Sequence, residues 1–272
     1  MTVASLPNHP TSFPDVNALI QILHKSVKCV LGSHIIGMYL EGSLAHGDFD
    51  QDSDIDFVVV TDEEVSEDLF IELQAMHDRI AAIDSVWAIQ LEGSYISQHA
   101  LRRYDPNHAC HPNIERGYGE RLKMVDHGES WNVHRYILRE HGISLIGPDL
   151  KTLIDPISLN ELRRAMLPLL HGWAAGILKN PTEINSRGYQ SYIVLTLCRI
   201  LYTLQHGEVV SKPKAVNWVI ANVSKNWKEL VDRAWVGRHD NSQSTPTAED
   251  IKQTLDFIRY ALERSHQVKI PL

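Results

Sequence analysis

From Asp48 to Glu64 the chain carries eight carboxylates, Asp48, Asp50, Asp52, Asp54, Asp56, Asp62, Glu63 and Glu64, and no Lys or Arg. Such a run repels itself unless cations enter it. Asp54 and Asp56 stand at the head of the apolar run Phe57-Val58-Val59-Val60, which reads as a buried strand. Residues i and i+2 of a strand project to one face, so the two carboxylates aim together. Two hard oxygen ligands side by side suit Mg2+, which keeps waters and completes its shell with substrate phosphates. Ten residues separate Asp54 from Gly42-Ser43, which closes another short apolar run, Ile35 to Leu40. A glycine there lets backbone N–H groups approach a phosphate, and the serine hydroxyl can bond it. Asp-x-Asp alone is common in solvated turns and Gly-Ser in ordinary ones. Together, with a strand on each side, they make a specific pattern.

The elements that must hold these residues follow from periodicity. Val16 to Leu31 places Leu19, Leu23, Val27 and Val30 on one helical face, and Glu63 to Ile83 does the same with Leu69, Leu73, Met76, Ile80 and Ile83. Ser85 to Ile96 reads as a third strand, whose one charged residue is Glu92. A lone Glu in so apolar a run is costly to bury unpaired, so it lies at an exposed edge or faces a metal site; Asp84, before the strand, is the alternative third acid. Arg103 to Glu129, rich in His, Pro, Gly and charge, reads as a connector or active-site loop. Beyond it the spacing is helical throughout, over 130–141, 159–179, 190–205, 214–223, 227–236 and 248–266, and no strand is expected. The fold class is therefore α+β, an α/β domain over 1–130 followed by an all-α bundle over 131–272.

The pattern Gly42-Ser43, ten residues, Asp54-Ile55-Asp56 resembles the nucleotidyltransferase superfamily typified by DNA polymerase β. Further phrases are similar to the two-domain aminoglycoside (3'')(9) adenylyltransferases, the streptomycin/spectinomycin class. They are Leu138-Arg139-Glu140-His141-Gly142-Ile143-Ser144-Leu145-Ile146-Gly147-Pro148, Leu153-Ile154-Asp155-Pro156, Ile193-Val194-Leu195-Thr196-Leu197-Cys198-Arg199-Ile200 and Gly207-Glu208-Val209-Val210-Ser211-Lys212. The resemblance implies a mixed sheet, two Mg2+ ions on Asp54 and Asp56, and Glu92 as a further metal-site acid and general base. It implies a triphosphate held by Gly42 and Ser43, with Ser53 a further nucleotide contact. Arg199 and Lys212, thirteen residues apart, would reach across a cleft to ATP phosphates, and Trp235 would stack on adenine. The reaction implied is transfer of AMP from ATP to a hydroxyl of a small molecule, an aminoglycoside-type antibiotic being the family's example, with release of pyrophosphate. Antibiotic resistance would be its consequence.

The acceptor is where the pattern departs. Drug-modifying relatives place acids just before the Thr-Leu-x-Arg helix, and here that stretch is Asn185-Ser186-Arg187-Gly188-Tyr189-Gln190-Ser191-Tyr192, with no acid and one arginine. An arginine at such a place repels a polycation, so streptomycin is expected to be a poor substrate and spectinomycin the better drug. Glu115, Glu120 or Glu129 of the connector could replace the lost acids. Two other readings of the same site are AMP transfer to a protein and a catalytically silent nucleotide-binding regulator.

Composition bounds the rest. With 272 residues, 43% apolar, 22% charged and a net charge of -8, the chain is globular and carries no basic stripe for nucleic acid. Its three cysteines, Cys29, Cys110 and Cys198, lack CxxC spacing. Cys110 with His108 and His111 is the densest candidate zinc cluster, but its second half-site is missing, so a polar loop is expected there. No run reaches the length of a membrane span, and the leading MTVASLPNHPTSFPD has no basic n-region followed by an apolar core. A cytoplasmic monomer is expected.

Overall fold

The computed structural model describes residues 10–223, 225–238 and 244–268. Most of the leader on which the expected absence of an export signal rested, residues 1–9, lies outside the described residues. Two compact units divide the chain, Met1–Pro156 and Ile157–Leu272.

The first unit runs α1 (Pro14–Leu31), β1 (Ile35–Leu40), α2 (Gly42–His46), β2 (Ile55–Thr61), α3 (Glu67–Ala81), β3 (Leu91–Ser97), α4 (Gln98–Arg102), β4 (Cys110–Ile114), β5 (Lys123–Asp126), α5 (Asn132–His141), β6 (Ile143–Ile146) and α6 (Leu150–Leu153). Its six strands form one mixed sheet in the order β5-β4-β3-β2-β1-β6. Only β2 and β3 are parallel, joined through α3, and every other pair is antiparallel. Alternation puts Met38, Leu40, Phe57 and Val59 on one face, against Leu19, Leu23 and Val27 of α1 and Leu73, Met76 and Ile80 of α3. α4 packs on β2 and β3, α6 packs on α4 and α5, and Arg135 of α5 donates to the Ala100 and Leu101 carbonyls of α4.

Several expectations are corrected here. The helix after β2 begins at Glu67, not Glu63, because the Ser66 side chain accepts the Leu69 N–H and sets the N-terminus. The third strand begins at Leu91, since residues 85–90 form turns closed by Ala88 N–H to the Ser85 carbonyl and Gln90 N–H to the Trp87 carbonyl. The segment 103–129 is no plain connector, for it supplies β4 and β5. A strand also follows position 130: β6 pairs with β1, Leu40 opposite Ile143. That pairing draws α5 and β6 into the first unit, so the division falls after Pro156 and not at the 130/131 boundary expected.

The second unit contains α7 (Leu159–Pro168), a π-helical turn (Leu169–Ala174), α8 (Ala175–Lys179), α9 (Arg187–His206), α10 (Lys212–Asn222), α11 (Lys228–Gly237) and α12 (Ala248–Gln267). The helical spacing read over 159–179 is thus broken after Pro168, where a proline and wide turns often meet. In α9 Ile193, Val194, Leu195, Leu197, Cys198, Ile200 and Leu201 are all buried. A helix apolar on every side must be surrounded, and α7, α10, α11 and α12 pack around it. Among the described residues no helix is long and apolar enough to cross a membrane.

Candidate active site

The acids converge at the head of the parallel pair. In the β2–β3 register Asp56 stands opposite Glu92 and Ile55 opposite Leu91, so the second residues of two neighbouring strands share a face. Ligand atoms of Asp54, Asp56 and Glu92 all lie within 4.8 Å of one another, and all three residues are half-buried. Asp84, the alternative acid, is exposed and outside this group.

Gly42 makes the cluster possible. Its φ is +61°, and a Cβ there would lie 1.8 Å from Asp56 Oδ2, so any side chain would occupy the place of the carboxylate. The Glu41 N–H donates to the Asp56 carbonyl at 3.1 Å, fastening this loop to β2. Gly93, beside Glu92, allows a second close approach, because a Cβ there would meet the Phe57 carbonyl oxygen at 2.3 Å. Next to Gly42, the Ser43 Oγ is buried and has no hydrogen-bond partner among the described residues. A buried hydroxyl left so is uncommon, and a phosphate oxygen would satisfy it.

Charge around the acids is partly balanced. Arg116 Nη1 lies 3.4 Å from Asp54 Oδ2. Glu92 is held above the usual carboxylate range, first by burial and then by the neighbouring Asp54 charge, against the opposing pull of Arg116 and His134. Buried Glu41 faces His134 Nδ1 at 3.1 Å. The donor set fits a hard divalent cation: three carboxylates, one on β2, one on the residue just before it and one on β3, with few cations to neutralise them.

Arg116, Glu41 and His134 escaped sequence reasoning. Arg116 sits in the segment read as a connector or active-site loop, where no periodicity marks it. Glu41 was visible as a charge directly after an apolar run, but its partner His134 lies 93 positions away.

The other expected contacts are placed less simply. Ser53 Oγ donates to Asp50 Oδ1 at 2.9 Å and accepts the Asp50 N–H at 3.0 Å, so it closes the 50–53 turn and its hydroxyl is already engaged. Arg199 is half-buried on α9 and has no ion pair or hydrogen bond among the described residues. Lys212 opens α10, and Trp235 on α11 has one ring face covered by the Arg238 guanidinium, 4.1 Å from its centroid. Arg187 is paired with Asp250 at 2.6 Å; against the opposing effect of burial, the Thr247 hydroxyl first and then Arg187 lower the Asp250 carboxyl to about 2. Asp250 is shared with Arg233, whose Nε lies 3.5 Å from Asp250 Oδ1.

Residues 20–102 match the nucleotidyltransferase domain, and residues 152–264 match the C-terminal domain of aminoglycoside adenylyltransferases. A spectinomycin 9-adenylyltransferase of Staphylococcus aureus is 30% identical over 234 residues, 81% of this chain and 84% of the relative. The chain belongs to the aminoglycoside adenylyltransferase family. It is thus an enzyme of the nucleotidyltransferase type. A Campylobacter jejuni spectinomycin 9-adenylyltransferase is 27% identical over 82% of this chain and 84% of its own length. An aminoglycoside (3'') (9) adenylyltransferase of Klebsiella pneumoniae is 25% identical over 44% of each chain. The crystal structure of spectinomycin adenyltransferase AAD(9) from Enterococcus faecialis with ATP and spectinomycin shares the fold, with a TM-score of 0.68, 19% identity, and coverage of 90% of this chain and 98% of that one. The α+β architecture expected from sequence, a mixed-sheet nucleotidyltransferase domain followed by a helical one, is the one this family carries.

Proposed function

We infer that this adenylyltransferase moves AMP from ATP to a hydroxyl of spectinomycin or a closely similar small molecule, in the cytoplasm where ATP is supplied. The observation that carries the reading is the Asp54–Asp56–Glu92 cluster, set against a glycine that yields its Cβ space to Asp56 and beside an unpartnered Ser43 hydroxyl. Asp54, Asp56 and Glu92 would hold Mg2+, two ions by the family pattern. When bound, these ions neutralise triphosphate charge and the charge that develops on the departing pyrophosphate. Gly42 and Ser43 seat the phosphates, Ser43 Oγ supplying a hydrogen bond. Glu92 accepts the acceptor hydroxyl proton as its oxygen bonds to the α-phosphorus; the bond from that phosphorus to the β-phosphate bridge breaks, and its electron pair leaves with pyrophosphate. Burial raises the proton affinity of Glu92, which suits a base. Arg199 and Lys212 as phosphate cations and Trp235 as an adenine neighbour belong to the same proposal and rest on the family pattern.

The choice of acceptor is supported by relatives named for spectinomycin that match along 84% of their length, and by the absence of an acid from residues 185–192. The test is incubation of the purified protein with Mg-ATP and either spectinomycin or streptomycin, followed by mass spectrometry. Spectinomycin should gain one AMP and streptomycin little or none. Efficient modification of streptomycin would move drug recognition to other acids, with Glu115 first because it already acts on Glu92. Modification of neither drug would remove the acceptor assignment.

A further inference from the structure

The cluster that looked like half a zinc site divides in the structure. His111 turns inward and is 2% exposed, while His108 turns outward with its side chain 42% exposed. The missing partners come from α4 and the turn after it: ligand atoms of His99, Asp105 and His108 all lie within 4.8 Å of one another. The two imidazoles meet edge to face, with centroids 5.2 Å apart. His99 stands on α4, Asp105 opens the turn Pro106–His108, and that turn leads into β4.

Each group has a coordinating atom to spare. His108 Nδ1 lies 2.8 Å from Glu64 Oε1. An N–H donated to that carboxylate fixes the tautomer and leaves Nε2 with its lone pair outward, the carboxylate–histidine arrangement that orients metal ligands. Asp105 Oδ1 accepts from Asn107 N at 2.9 Å and Asn107 Nδ2 at 3.1 Å, leaving its other oxygen. Arg102 and Arg103 both pair with Asp155, at 2.9 and 2.7 Å, and its carboxylate offsets one of their two positive charges. A depression of about 340 Å³ lined by His99, Arg102, Arg103, Tyr104, Asp105 and Pro106 leaves room for a water ligand.

We propose that His99, Asp105 and His108, with Glu64 orienting His108, form a second metal site that takes a borderline divalent ion such as Zn2+. Two imidazoles and one carboxylate are a nitrogen-rich set that Zn2+ accepts and Mg2+ does not favour. Bonds near 2.0–2.1 Å require tetrahedral ligand atoms to approach to about 3.4 Å, which exposed side chains reach by rotation. The site is separate from the catalytic acids. Those stand at the heads of β2 and β3, whereas Glu64 and His99 follow the far ends of the same seven-residue strands, roughly 20 Å away at 3.3 Å per residue. An ion there ties α4, the 103–109 segment and the loop after β2 into one piece.

Titration calorimetry with Zn2+ in millimolar Mg2+, on full-length protein without an affinity tag, tests this. One Zn2+ per chain should bind. His99→Ala and His108→Ala should each weaken it at least tenfold, and Glu64→Gln by about tenfold, as expected for an orienting carboxylate. An Asp54→Asn/Asp56→Asn double variant should bind as the parent does. As a second readout, Zn2+ should raise the Tm of the parent and of the double variant but not of His108→Gln, whose polar side chain keeps the surface intact. No stoichiometric Zn2+, binding indifferent to His99 and His108, or binding lost only with Asp54 and Asp56 would each overturn the proposal.

Discussion

At the residue scale the site depends on a contact between an absent atom and a carboxylate. Gly42→Ala should be more damaging than its size suggests. The left-handed φ of +61° costs a Cβ residue about 1–2 kcal/mol, and the methyl must also displace Asp56 from 1.8 Å. A lowered Tm together with loss of turnover is expected, and a Tm and kcat equal to the parent would show that Asp56 is free to move. Asp56→Asn keeps the shape and removes the charge. It should lower kcat/KM at least a hundredfold, about 2.7 kcal/mol, with thermal unfolding nearly unchanged. Glu41 offers a contrast. It touches His134 and the backbone of Asp56, so it is a positioning residue, and Glu41→Gln should alter activity less than Asp56→Asn.

At the element scale the sheet and the segments packed on it carry buried histidines whose protonation opposes folding. His77 on α3 is 3% exposed, with Nε2 2.8 Å from the Tyr95 hydroxyl on β3. Burial lowers its pKa to about 4, and His127 and His111 are lowered in the same way to about 3 and about 4. The sign follows directly. Between about pH 6.5 and 4 the unfolded chain takes up protons that the folded chain refuses, so stability is present at pH 7 and falls as the pH falls, by up to 1.36 kcal/mol per pH unit for each histidine. Urea unfolding from pH 7 to pH 4.5 should show this slope, and His77→Gln, which can still bond Tyr95, should reduce it; an unchanged slope would place the proton uptake elsewhere. These histidines also show why part of the sheet was illegible in sequence. β4 is Cys110-His111-Pro112-Asn113-Ile114, a strand whose inward residue is a histidine and whose centre is a proline, so no alternation of apolar side chains announces it. β6 is four residues long and follows a helix directly, too short to register as a change of period. By contrast β1, β2, α1 and α9 bury apolar faces and were legible. The Asp-x-Asp pair was legible because the head of one strand fixes it, Asp56 on β2 and Asp54 just before it. That Glu92 faces Asp56 depends on the β2–β3 register, which no local pattern encodes.

At the scale of the whole molecule the division after Pro156 has a direct consequence. A fragment ending at Pro156 keeps β6 on β1 and the Arg135 guanidinium on the Ala100 and Leu101 carbonyls, at 2.9 and 3.1 Å. It should therefore melt cooperatively. A fragment ending at residue 130 exposes the β1 edge and leaves those buried carbonyls unpaired, so it should melt far lower or not fold; equal stability of the two would restore the earlier boundary. The function, by contrast, is tested on the full chain. The most direct measurement is spectinomycin-dependent release of pyrophosphate from Mg-ATP by the parent and by Glu92→Gln, with ATP binding measured in parallel. Release in the parent, and its loss in Glu92→Gln while ATP still binds, is the predicted result. Undiminished release by Glu92→Gln would contradict the assignment of this carboxylate cluster as the centre that transfers AMP.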